Sequence, residues 1–178
     1  MASATPATPS TKETTNYARL CRVLVDVGTC ALRDCFDAIC LPPTLNTVLA
    51  ASQPVLHSFR SRRIINATQW GKLFPAVPAS VSSRDFDITL LIILLRNICG
   101  LAPPLTGWDA LPATTDVSRE ADIARVKYFR NTVYGHAEHA SVDDATFNKH
   151  WKEIRDTLVR LGGVTYEVKN SFFLSYSF

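Results

Sequence analysis

Apolar residues recur at helical spacing along most of this chain. Tyr17, Leu20, Leu24, Val27, Ala31 and Leu32 mark one face of a first helix. Ser10 and Glu13 have the spacing of a capping box that opens it. Leu41-Pro42-Pro43 stops it near Cys40, because proline has no amide proton to continue the ladder. Leu45, Val48 and Leu49 suggest a second helix, which Pro54 breaks or restarts. Asn66 stands where it would cap a short segment carrying Trp70, Leu73 and Phe74.

The next helix is predicted most strongly. Ser83 can cap it, and Asp85 and Asp87 would sit near the positive end of its dipole. Phe86, Ile88, the run from Leu90 to Leu95 and Ile98 make it apolar nearly all round, so it belongs in the centre of a bundle. Gly100 ends it. Residues 101–117 then form a proline-rich connection around Trp108. It is long for a compact domain and is expected to wrap the surface or line a site. Asp116 or Ser118 opens a helix with Ile123, Val126 and Val133 on its apolar side. A last helix starts at Ser141, with Asp143 and Asp144 in its first turn. Phe147, Trp151, Ile154, Leu158 and Leu161 form one stripe, closed by Gly162-Gly163. Val164 to Phe178 is aromatic-rich and reads as an edge strand or a fragment of something longer. The pattern predicts an all-α bundle of four or five principal helices. Residues 1–12 form a disordered tail, 13–163 the helical domain and 164–178 a C-terminal extension of uncertain structure.

Composition narrows the class. A chain of 178 residues is about one domain, and 47% apolar with 20% charged residues fits a soluble globular protein. The net charge of +3 is compatible with a nucleic-acid partner without requiring one. No apolar run reaches the ~20 residues that span a bilayer. Residues 1–15 lack the apolar core of a signal peptide, so a cytoplasmic protein is expected, with no membrane partner. The five cysteines are odd in number and form no Cys-x-x-Cys pair, which argues for reduced thiols over a zinc or disulfide framework. His57, His136, His139 and His150 form no ligand cluster, so neither metal nor cofactor is expected.

One stretch carries candidate chemistry, Lys127-Tyr128-Phe129-Arg130-Asn131-Thr132-Val133-Tyr134-Gly135-His136. Arg130 is a permanent cation with a planar donor fork suited to phosphate. His136 can exchange a proton near neutral pH. Asn131 can orient the histidine or bind phosphate. Lys127 and Tyr134 lie at helical neighbour spacing from Arg130, where Lys127 would meet phosphate and Tyr134 would stack on a base. Arg125 is a weaker phosphate candidate, more readily part of a solvated face. Arg, Asn and His are common residues, so the spacing alone also fits an ion pair, a helix bridge and a helix-end histidine. Trp70, Trp108 and Trp151 read as core. Arg96-Asn97 repeats the Arg-Asn pair without a following His, and Arg96 reads as an ion-pair residue.

Four separated stretches change that balance. They are Asn66-Ala67-Thr68-Gln69-Trp70; Phe86 to Leu91 with Leu95-Arg96-Asn97-Ile98; Pro103-Pro104 with Gly107-Trp108-Asp109; and Ala121 to Lys127 with Arg130 to His136. In order and spacing they resemble the HEPN domain of the DAZ-interacting zinc-finger ubiquitin ligase, over residues from about 14 to 162. The resemblance implies a helical bundle that pairs with a second copy. In active HEPN ribonucleases an Arg, a polar residue and a His four to six positions beyond the Arg form the catalytic motif. Here those positions are Arg130, Asn131 and His136. The variant with Tyr two residues after the His is not matched, since Glu138 stands there, and the RING finger has no counterpart in this sequence. The resemblance therefore implies an RNA-binding domain that can be a metal-independent endoribonuclease. The other class it leaves open is a non-catalytic dimerisation or protein-interaction module.

Overall fold

The computed structural model describes residues 11–135 and 140–163. Helix α1 (Lys12–Arg22) runs through a π-helical segment (Val23–Gly28) into α2 (Thr29–Ile39) as one continuous rod. Its cap is Thr11, whose hydroxyl accepts from the Thr14 amide at 3.3 Å. The expected capping Ser10 lies outside the described residues. Asn16 and Leu20 are buried, followed by four adjacent pairs that repeat every four residues: Val23-Leu24, Val27-Gly28, Ala31-Leu32 and Cys35-Phe36. On an α-helix a four-residue step overshoots one turn by about 40°, so such a stripe would wind around the rod. A π turn takes more residues per revolution. The π segment in the middle winds the stripe back and keeps one face buried from Leu20 to Phe36.

Three short helices follow: α3 (Leu45–Ala51), α4 (Gln53–Ser61) and α5 (Ala67–Leu73). Pro54 sits in the first turn of α4, where a missing amide proton breaks no helical bond. Leu49, Leu56 and Leu73 turn inward from the three. Asn66 caps α5 reciprocally with Gln69, through bonds of 2.8 and 3.1 Å. Gln69 also donates to both carboxylate oxygens of Asp87, at 3.0 and 3.2 Å. Asp87 is the true cap of α6 (Ile88–Asn97), accepting from the Leu90 amide at 2.8 Å. Ser83, the expected cap, is instead buried in a 3-10 turn and donates to Asp37 at 3.0 Å. The difference is positional: Asp87 directly precedes the apolar run, so its carboxylate reaches the amide three residues on.

Helices α7 (Arg119–Gly135) and α8 (Asp144–Gly162) complete the bundle. Phe147, Trp151, Ile154 and Leu158 of α8 are buried, and Gly163, at φ 72°, closes the helix with a 2.7 Å bond to the Val159 carbonyl. Gly28 marks the point where the rod meets the other three helices. A methyl placed there would lie 3.7 Å from Ile88 and Val126 and 3.9 Å from Leu158. Asn16 ties α1 to the start of α8, donating to the Val142 carbonyl at 3.2 Å and to Asp144 at 2.9 Å. The rod, α6, α7 and α8 are the principal helices of an all-α bundle, and the described residues contain no strand. No helix among them is long and apolar enough to cross a membrane. The segment expected to be an edge strand, 164–178, lies outside the described residues.

Candidate functional site

The C-terminal half of α7 lies against the proline-rich connection that precedes it. Lys127, Tyr128, Asn131 and Thr132 share a pocket of about 300 Å³ with Trp108 and Asp109 of that connection. The connection therefore lines a pocket, and Trp108 is half-buried at its wall and packs against the hydrophobic core. Lys127 donates to the Trp108 carbonyl at 3.3 Å and to the Asp109 carboxylate. Arg96 reaches the same carboxylate at 3.4 Å, and its guanidinium lies 5.6 Å from the centre of the Trp108 ring. One carboxylate thus serves two cations. The hydrogen bond from Lys127 is the main cause holding the Asp109 carboxyl below its usual value; Arg96 adds to it and desolvation opposes it.

Arg130 projects one helical turn beyond Lys127. It donates to the Thr89 hydroxyl and to the Asn131 side-chain oxygen, both at 3.0 Å, and its guanidinium lies 5.1 Å from the Tyr134 ring centre. Its Nε is buried and has no partner among the described residues. No carboxylate among them pairs with it. Asn131 and Tyr134 are exposed. The structure therefore brings Arg130, Asn131 and Tyr134 together, with Lys127 at the edge of the same face. His136 lies outside the described residues. Sequence reasoning did not find Thr89 and Asp109. Thr89 sits in the first turn of α6, just ahead of the apolar run Leu90–Leu95, where a lone hydroxyl was the available signal.

Arg125 does not belong to this face. It is 4% exposed, and Asp122 accepts from its Nη1 at 2.6 Å. Its Nη2 reaches the carbonyls of Ala113 and Asp116, both at 2.5 Å. Asp122 also accepts from Arg160 of α8 at 2.7 and 2.8 Å. The guanidinium read as a weaker phosphate candidate, more readily part of a solvated face, is instead buried and pins residues 113–116 to α7. Among the described residues no three His, Cys, Asp or Glu side chains converge as a metal site.

A bundle with an Arg-Asn pair near the end of a long helix invites comparison with known families. The model of the DZIP3/hRUL138-like HEPN domain matches residues 42–174. The chain belongs to that family. Over 149 residues it is 30% identical to the E3 ubiquitin-protein ligase DZIP3 of Homo sapiens and 29% identical to that of Mus musculus. Those alignments cover 82% of this chain and 12% of each ligase, so the chain spans a small part of the relatives it matches. No solved structure matches it.

Proposed function

We propose that this HEPN domain binds RNA on the Arg130 face of α7 and cleaves it by metal-independent transesterification. The observation that carries the reading is Arg130 itself. It is a permanent cation without a carboxylate partner among the described residues, braced by Thr89 and Asn131 beside an exposed tyrosine. A guanidinium fixed in this way is preorganised for phosphate oxygens. Tyr134 offers a stacking surface for a base.

RNA carries its own nucleophile. His136 takes the proton of the ribose 2′-hydroxyl, whose oxygen attacks the adjacent phosphorus. Arg130 stabilises the extra negative charge of the phosphorane. The 5′-oxygen leaves with a proton from a second His136 acting as acid, worth typically about 10²–10⁴ in rate for each such group. The products are a 2′,3′-cyclic phosphate and a 5′-hydroxyl. Arg130 and His136 are six positions apart, about 120° in helical phase, so they do not share one face of an ideal helix. A homodimer that brings two motifs together supplies both histidines to one phosphate.

A second reading has its own support. Both ends of the Arg130 guanidinium already have intramolecular partners, and Lys127 is held by Asp109. The same side chains then brace α7 against α6 and the connection, and the domain serves as a dimerisation or protein-interaction module. Fluorescence anisotropy with mixed-sequence single-stranded RNA separates the two. Arg130→Met, folded by circular dichroism, is expected to bind roughly ten- to a hundredfold more weakly, the value of its charge-assisted hydrogen bonds to phosphate. Unchanged affinity in that variant would sink the RNA reading of this face.

A further inference from the structure

The charge of the chain is unevenly distributed. None of its 16 acidic residues falls between positions 38 and 84, a stretch that holds Arg60, Arg62, Arg63, Lys72 and Arg84. This is the part of the chain that forms α3, α4 and α5. Of the carboxylates that border it, Asp37 accepts from Ser83 and Asp87 holds Gln69 and caps α6, while Asp85 is exposed next to Arg84.

The arginines of this stretch are exposed, and two of them lie over aromatic rings. The Arg60 guanidinium stands 4.8 Å from the centre of the Trp70 ring, bridging α4 to α5. The Arg62 guanidinium stands 4.9 Å from the centre of the Phe59 ring, and its Nε donates to the Ser58 carbonyl at 3.3 Å. His57 meets the edge of Trp70 at 5.9 Å. The turn that follows is tied back by the amides of Ile64 and Ile65, which both donate to the Phe59 carbonyl, at 2.9 and 3.3 Å. Arg63 enters that turn at φ 59°. None of the three arginines meets a carboxylate among the described residues. An arginine laid on a ring is restrained in orientation while its N–H edge stays open to solvent.

We propose that the α4–α5 face, centred on Arg60, Arg62 and Arg63, is a docking surface for the backbone of single-stranded RNA. It goes beyond the reading of the Arg130 face and stands whether or not that face binds or cleaves. Three guanidinium forks within four positions suit a polymer that repeats its phosphates, and the outer face of a ring-stacked guanidinium can take a base. A bilayer surface fits less well. The exposed large apolar residues of α4 and the turn after it, Val55 and Ile64 at 47% and 45%, offer less than an interfacial helix inserts. An acidic peptide would use the charge but not the stacking geometry.

The test uses the full chain and labelled mixed-sequence single-stranded RNA, with anisotropy read across a salt series. The triple variant Arg60→Gln/Arg62→Gln/Arg63→Gln changes exposed side chains and is expected to fold. It is expected to bind roughly tenfold or more weakly. Its slope of log affinity against log salt should fall by about 2, at about 0.7 for each phosphate no longer neutralised. Arg130→Met should keep most of the wild-type salt slope. Triple-variant binding and slope equal to wild type would overturn the proposal, even if Arg130→Met abolished binding and so upheld the other face. Wild-type binding to phosphatidylserine vesicles without binding to RNA would overturn it as well. So would competition by polyglutamate as effective as competition by unlabelled RNA.

Discussion

Asp122→Asn is expected to be among the most damaging single-atom-scale changes in this domain. The Asp122 side chain is 1% exposed and accepts three bonds, one from Arg125 and two from Arg160. The two arginines respond differently to its neutralisation. Arg160, with its side chain 35% exposed, can turn to water. Arg125, with its side chain 5% exposed, cannot, because the carbonyls of Ala113 and Asp116 hold it in place. A buried cation without its counter-charge costs about 3–5 kcal/mol, a large part of the roughly 5–15 kcal/mol that stabilises a domain. Urea unfolding followed by circular dichroism should show this as a midpoint lowered by about 2 M, at a slope of roughly 2 kcal/mol/M that stays unchanged. Arg160→Gln should cost less than Asp122→Asn, because Asp122 keeps Arg125 as its counter-charge. If Asp122→Asn stayed within about 0.5 kcal/mol of wild type, the size expected of a surface change, the reasoning about a buried charge would be wrong.

Two further outcomes follow from particular neighbours. Gly28→Ala should stabilise the chain. Its methyl would meet Ile88, Val126 and Leu158 at ordinary van der Waals distance, and alanine outranks glycine in a helix by about 1 kcal/mol, so the melting temperature should rise by roughly 2–4 °C. A fall in melting temperature would mean that the crossing has no room for a methyl. Asp109 sets a pH dependence. Its folded value lies below the ordinary 3.8, so its contribution is complete above that value and is lost as pH falls through the lower one. Intrinsic tryptophan fluorescence of wild type and Asp109→Asn should therefore differ by a constant offset between about pH 5 and 8 and converge in acid, as Asp109 protonates. A transition near pH 6 that vanished in Asp109→Asn would contradict the assigned pairing.

Local rules made much of the fold legible. The Asn66 cap, the stop at Cys40, the apolar run of α6 and the α8 stripe all depend on residues within a turn or two of one another. The Arg130–Tyr134 proximity was legible for the same reason, being one helical step. The partners of Lys127 and Arg125 were not. Asp109, Ala113 and Asp116 lie in irregular backbone with no period to project. A signal for Arg125 did exist: Asp122 and Arg125 stand three apart within the otherwise apolar Ala121–Val126, which is where a buried pair would sit. The π segment also left a trace, since buried pairs every four residues do not fit a straight α-helix. The basic α4–α5 face left its trace as an absence of acids, which motif spacing does not register.

The proposed action of Arg130 and His136 on RNA is open to a direct assay. Purified protein would be incubated with mixed-sequence single-stranded RNA in EDTA, beside Arg130→Met and His136→Ala variants shown to be folded. Cleavage is expected from wild type alone, with 2′,3′-cyclic phosphate and 5′-hydroxyl ends. Intact RNA with the folded wild-type protein, or equal cleavage by His136→Ala, would contradict it.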